Sequence, residues 1–96
     1  MNKREIYTKI KNYFHDKPIT KISVFGSFAR NEQNPSSDID ILLSLEKPIG
    51  LMALSGYRIE LEKILGIHVD LGTDKGISSF VAPYIQNDIE ILYEKH

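Results

Sequence analysis

The stretch VFGSFARNEQNPSSDIDILL, residues 24–43, constrains this chain more than any other part of it. An apolar run breaks at Gly26 and Ser27, a polar loop containing Pro35 follows, and apolar character resumes with aspartates at the alternate positions 38 and 40. Aspartate is depleted in strand interiors, so two of them need a reason. Alternate side chains of an extended chain share a face, which points Asp38 and Asp40 together while Ile39 and Ile41 enter the opposite layer. Adjacent carboxylates repel unless something positive lies between them, and a hard divalent cation with oxygen ligands is the natural candidate.

The remaining elements frame this segment. Asn2, with Glu5 three residues on, has the form of a helix start, and Ile6, Ile10, Tyr13 and Phe14 then recur at helical spacing before Pro18, predicting an amphipathic helix over residues 3–16. ITKISVF is β-branched, apolar and bounded by Pro18 and Gly26, as a strand should be. A turn of helix is expected from Ser27. DIDILLSL reads as the second strand, ended by Lys47 and Pro48. Leu51, Leu54, Ile59, Leu61, Ile64 and Leu65 suit a helix stopped by Gly66. IHVDLGT is a third strand; ISSFVAPYIQND suggests a helix entered at Ser78 or Ser79 and strained by Pro83; IEILYE is a closing strand or extension. At 96 residues without repeat or linker, one domain spanning 1–96 is expected.

Composition narrows the function classes. No apolar run approaches the roughly 18 residues of a membrane span, no secretory core opens the chain, and there is no cysteine for a disulfide or a soft metal, so a cytoplasmic location is expected. Residues 1–30 hold seven Lys or Arg against two acids, and residues 31–96 hold five against eleven. The net charge of −1 lacks the basic excess of a strong nucleic-acid binder. Lys3, Arg4, Lys9 and Lys11 are read as a solvated helix face, and the five tyrosines as core or interface residues.

In IHVDLGT, Asp70 alternates with Val69 and Leu71, and its carboxylate joins the pair if its strand lies beside theirs. Three converging carboxylates can hold two magnesium ions about 3.5–4 Å apart, the clamp that stabilises entering and leaving oxygens in phosphoryl and nucleotidyl transfer. Gly26 and Ser27 offer the complementary half. Glycine lets backbone approach a ligand closely, free N–H groups at a helix start attract phosphate, and the Ser27 hydroxyl adds to the cradle.

Gly26-Ser27, ten intervening residues, then Asp38-Ile39-Asp40 resembles the GS-x10-D-x-D signature of the DNA polymerase beta-like nucleotidyltransferase superfamily. With Asp70 and the closing PYIQNDIEILYE, the chain resembles a minimal nucleotidyltransferase (MNT) domain, in particular the MntA-type antitoxins of HEPN/MNT toxin-antitoxin pairs. The resemblance implies an α+β fold, a small mixed sheet with helices packed on one face. It implies that Asp38, Asp40 and Asp70 are the metal ligands and catalytic carboxylates, that Gly26 and Ser27 hold the triphosphate of ATP, and that Arg30 matches the arginine of the GSxxR segment. It further implies AMP transfer from ATP with Mg2+, two ions, to an acceptor hydroxyl, a tyrosine on a HEPN toxin, in a hetero-oligomer. Asn31 departs from the glycine common in relatives, and asparagine tolerates the left-handed backbone that glycine would supply.

Blander readings stand beside these. An isolated D-x-D is an exposed strand face or a turn cap, Gly26 a turn glycine, Ser27 a helix cap, and Arg30 a partner for a nearby carboxylate. His68 shares the face of Asp70 by alternation and is read as structural or solvated. Two other functions fit less of the sequence: an MNT-fold antitoxin that neutralises its toxin by binding alone, and an enzyme modifying a small molecule or a nucleic-acid end.

Overall fold

The computed structural model describes residues 2–26, 28–29, 38–73 and 89–95. Among these, two helices and four strands follow in the order α1 (Lys3–Phe14), β1 (Ile19–Phe25), β2 (Ile39–Leu45), α2 (Leu51–Leu65), β3 (Val69–Thr73) and β4 (Ile89–Glu94). The expected helix from Ser78 or Ser79 and the helical turn from Ser27 lie outside the described residues.

The strands form one mixed sheet in the order β3-β2-β1-β4. β1 is antiparallel to both β2 and β4, while β2 and β3 run parallel, the pairing that requires a crossover such as α2 between them. The parallel register sets Ile39 beside Val69, Asp40 beside Asp70 and Ile41 beside Leu71.

That register divides the sheet by alternation. Ile22 and Val24 of β1, Ile39, Ile41 and Leu43 of β2, and Val69 of β3 form one core cluster with Ile6, Tyr7, Ile10 and Phe14 of α1 and Leu61 and Leu65 of α2. The opposite face of the sheet carries a row that runs from Asp70 through Asp40 and Phe25 to Ile89. Both helices therefore cover one side, and both aspartates of the row stand on the other.

Local chemistry accounts for the helix ends. Asn2 caps α1, its side-chain oxygen accepting from the Glu5 N–H at 2.8 Å. α1 ends at Phe14, two residues short of the span read from the sequence, with His15 as its C-cap, and the chain turns through Asp16–Lys17 into Pro18. α2 ends on Gly66 in the left-handed region at φ 70°, whose N–H returns to the Glu62 carbonyl at 2.8 Å.

The apolar positions of α2 do not all face the core. Leu61 and Leu65 are buried and Leu54 packs against them, because i, i+7 and i+11 fall on one stripe, whereas Leu51, Ile59 and Ile64 are exposed. In α1 it is Tyr7 that joins Ile6, Ile10 and Phe14 in the core, with Tyr13 at its margin against Phe14 and Tyr57. Tyr7 also donates to Glu90 at 3.2 Å, and Lys3 pairs with the same oxygen at 2.9 Å, tying α1 to β4. Among the described residues no helix is long and apolar enough to cross a membrane.

Candidate functional site

Asp40 lies in a central strand, and each neighbouring strand contributes something to its surroundings. On one side β3 sets Asp70 directly across from it. On the other, β1 ends at Phe25, its register partner, and turns at Gly26. Gly26 adopts φ 79°, a left-handed conformation that L side chains rarely take. A β-carbon built there would lie 2.7 Å from Asp40 Oδ2, so the bare backbone is what lets the strand end approach the carboxylate.

Asp38 precedes the first residue of β2, Ile39, and is exposed. It nonetheless belongs to the same group: ligand atoms of Asp38, His68 and Asp70 all lie within 4.8 Å of one another. The three aspartates expected from the sequence are thus neighbours, through strand register for Asp40 and Asp70 and through this cluster for Asp38 and Asp70. Ser27 and Arg30 lie outside the described residues.

The electrostatics follow from this crowding. The Asp40 carboxyl is pushed up to about 6, first by burial, then by its hydrogen bond to Asp70 and the negative charges of Asp70 and Asp38. A half-buried carboxylate facing two others has little to stabilise its charge. The donor set is all oxygen apart from one imidazole, and it suits a divalent cation, which would relieve that repulsion.

His68, read from the sequence as structural or solvated, lies against Asp38 and Asp70. It sits just before β3, where its carbonyl accepts from the Ile39 N–H at 3.0 Å and stitches β3 to β2. Its ring is held from behind, Nδ1 lying 2.7 Å from Glu62 Oε2, and Nε2 lies 3.6 Å from Asp70 Oδ1. Glu62 is itself fixed by the Val69 N–H at 3.0 Å and by Arg58 at 3.2 Å. The Val69 bond first, then Arg58 and His68, hold the Glu62 carboxyl below the usual range. Alternation had put His68 on the face of Asp70; the contact with Glu62, made across the turn at the end of α2, had no counterpart in the local pattern.

Relatives share this frame. The nucleotidyltransferase domain family matches residues 7–96. A Methanocaldococcus jannaschii protein, provisionally named a protein adenylyltransferase, is 41% identical over 88 residues, covering 91% of this chain and 87% of its own. Two solved structures superpose on the fold. One is a toxin-antitoxin complex with AMP-PNP, at TM-score 0.84 and 23% identity over 94% of this chain and 74% of that one. The other is a tri-AMPylated Shewanella oneidensis HEPN toxin in complex with its MNT antitoxin, at TM-score 0.81 and 20% identity over 98% and 74%. A mixed sheet, four-stranded among the described residues, with its helices on one face, and a matching family signature over nearly the whole length, lead to one conclusion: the chain belongs to the nucleotidyltransferase domain family.

Proposed function

We propose that the protein transfers AMP from ATP to a hydroxyl group on a protein acceptor, a tyrosine of a HEPN-domain partner, and so acts as the antitoxin of a toxin-antitoxin pair in the cytoplasm. The observation that carries this reading is the convergence of Asp38, Asp40 and Asp70 beside the side-chain-free turn at Gly26. The 41% identity to a relative named as a protein adenylyltransferase supports the choice of reaction, and the AMPylated HEPN toxin bound to a related fold supports the choice of acceptor.

Asp38, Asp40 and Asp70 would hold divalent cations, magnesium in the simplest case. When bound, such ions neutralise charge on the phosphates and on the oxygens entering and leaving the α-phosphorus. Gly26, with no side chain between the end of β1 and the carboxylates, leaves room for the triphosphate, which Ser27 and Arg30 would hold. The acceptor oxygen attacks the α-phosphorus, the bond from that phosphorus to the bridging oxygen breaks, and pyrophosphate departs. Asp70, which is exposed, would take the proton of the acceptor hydroxyl. Rate acceleration would come from positioning and from charge neutralisation, since the protein forms no covalent bond of its own.

The test is incubation of the protein with ATP labelled at the α-phosphate, magnesium and a HEPN-domain protein of the same host, followed by mass spectrometry of labelled species. Label on a partner tyrosine, reduced by about a hundredfold or more in Asp38→Asn or Asp40→Asn, is the expected result. An unlabelled partner held in a tight complex would overturn transfer in favour of neutralisation by binding.

A further inference from the structure

We infer that His68, oriented by Glu62, is a nitrogen ligand to one of the divalent cations, and that this position therefore favours Mn2+ over Mg2+. The inference rests on the reading above that the carboxylate cluster holds cations, and adds to it a ligand of different chemistry.

The geometry around the ring has the form of a supported metal ligand. A histidine that binds a metal through one ring nitrogen characteristically donates its other N–H to a carboxylate, which fixes the tautomer and the ring plane. Here Nδ1 lies 2.7 Å from Glu62 Oε2, and Glu62 is anchored in turn by the Val69 N–H and Arg58, so the support is rigid. With Nδ1–H given to Glu62, Nε2 is left with a lone pair. That nitrogen faces Asp70 Oδ1 at 3.6 Å, too far for a hydrogen bond and a separation that two ligands on one ion can share. Asp38 completes the group, with ligand atoms of all three residues within 4.8 Å. Both His68 and Asp70 are more than half exposed, so an ion can reach them directly.

The choice of metal follows from the donors. Carboxylate oxygens serve Mg2+ and Mn2+ alike, whereas imidazole adds far more to transition-metal ions than to Mg2+, which prefers oxygen and retains its waters. Asp40, hydrogen-bonded to Asp70 directly across the register, adds only carboxylate oxygens, so a position between these two would be all oxygen and suit Mg2+. The site is accordingly asymmetric, one position all oxygen and the other mixed.

The experiment is Mn2+ binding to the full chain, followed by titration and by pulsed electron paramagnetic resonance. The expected result is 14N modulation from a directly bound imidazole, present in the wild type and in the variants His15→Gln and His96→Gln, and absent in His68→Gln. Mn2+ affinity should fall about tenfold or more in His68→Gln while Mg2+ affinity changes less than about threefold; Glu62→Gln should weaken Mn2+ about tenfold and keep the 14N signal. Because the His68 side chain is exposed, His68→Gln leaves the core untouched. Mn2+ bound without 14N coupling, and equally well by His68→Gln, would overturn the inference, leave the carboxylate site standing, and make His68 a tether for Asp70. No Mn2+ binding at any accessible concentration, in the wild type as in Asp70→Asn, would overturn both.

Discussion

At the scale of single residues, Asp40 and Gly26 constrain each other. Asp40, raised to about 6 chiefly by burial, binds more protons in the folded than in the unfolded chain. Its contribution to stability is therefore full below the ordinary carboxylate range and is lost as pH rises through about 6. In the metal-free protein, Asp40→Asn should thus gain stability relative to wild type on going from pH 4.5 to pH 8, by about 1 kcal/mol once solvent screening of this half-exposed group is allowed for. Urea melts of both proteins in chelator at the two pH values measure the difference, and an unchanged gap would mean that neither burial nor the neighbouring carboxylates raise Asp40 in the folded chain. Gly26→Ala meets two obstacles, the left-handed φ of 79° and the Asp40 oxygen 2.7 Å from the new methyl. The backbone term alone costs about 1–2 kcal/mol, and the carboxylate must swing aside. The variant should fold with a lowered melting temperature, yet lose far more AMP transfer than that modest destabilisation explains.

At the scale of elements, the turn between α2 and β3 sets the site as much as the strands do. Gly66 ends α2 at φ 70° with nothing among the described residues within 4 Å of a would-be β-carbon, so among them Gly66→Ala meets backbone strain alone. A loss of about 1 kcal/mol should lower the melting temperature by about 4–8 °C, and Gly66→Asn should recover most of it, as scanning calorimetry can read. Leu61→Ala, by contrast, empties a fully buried position at the seam of α2 with the sheet and should cost about 2–5 kcal/mol. The same region shows what the sequence made legible. The strands were readable because alternation, β-branching and flanking Pro or Gly are local signals, and the aspartates were readable because strand alternation converts spacing into facing. The buried stripe of α2 was not: Leu51, Ile59 and Ile64 are as apolar as Leu61 and Leu65, and only packing against β3 and α1 decides which side turns inward. His68 was half legible for the same reason. Its face followed from alternation, whereas the grip of Glu62 depends on how tightly α2 folds back on β3.

At the scale of the whole molecule, folding brings three separated segments to one place and sets carboxylates side by side. Asp40 arrives on β2 with Asp38 just before it, Asp70 arrives through the crossover by way of α2, and Gly26 arrives just past the end of the neighbouring strand β1. The unfolded chain holds no such cluster, so a cation that binds there binds the native state alone and must stabilise it. At a hundred times the dissociation constant the gain is about 2.7 kcal/mol, and for a chain of this size that raises the melting temperature by about ten degrees or more. The sign of the pH dependence is set by Asp40, whose proton competes with the cation. Below about 6 the carboxyl is protonated and the cation must displace that proton; above it, the carboxylate is free and its repulsion from Asp70 adds to what the ion relieves. Millimolar Mg2+ or Mn2+ should accordingly raise the melting temperature markedly at pH 8 and much less at pH 5, with the rise abolished in Asp70→Asn and weakened in Asp40→Asn. A rise of equal size at both pH values, or one that survives Asp70→Asn, would place the bound ion elsewhere on the acidic surface and separate the cluster from any role in holding nucleotide phosphates.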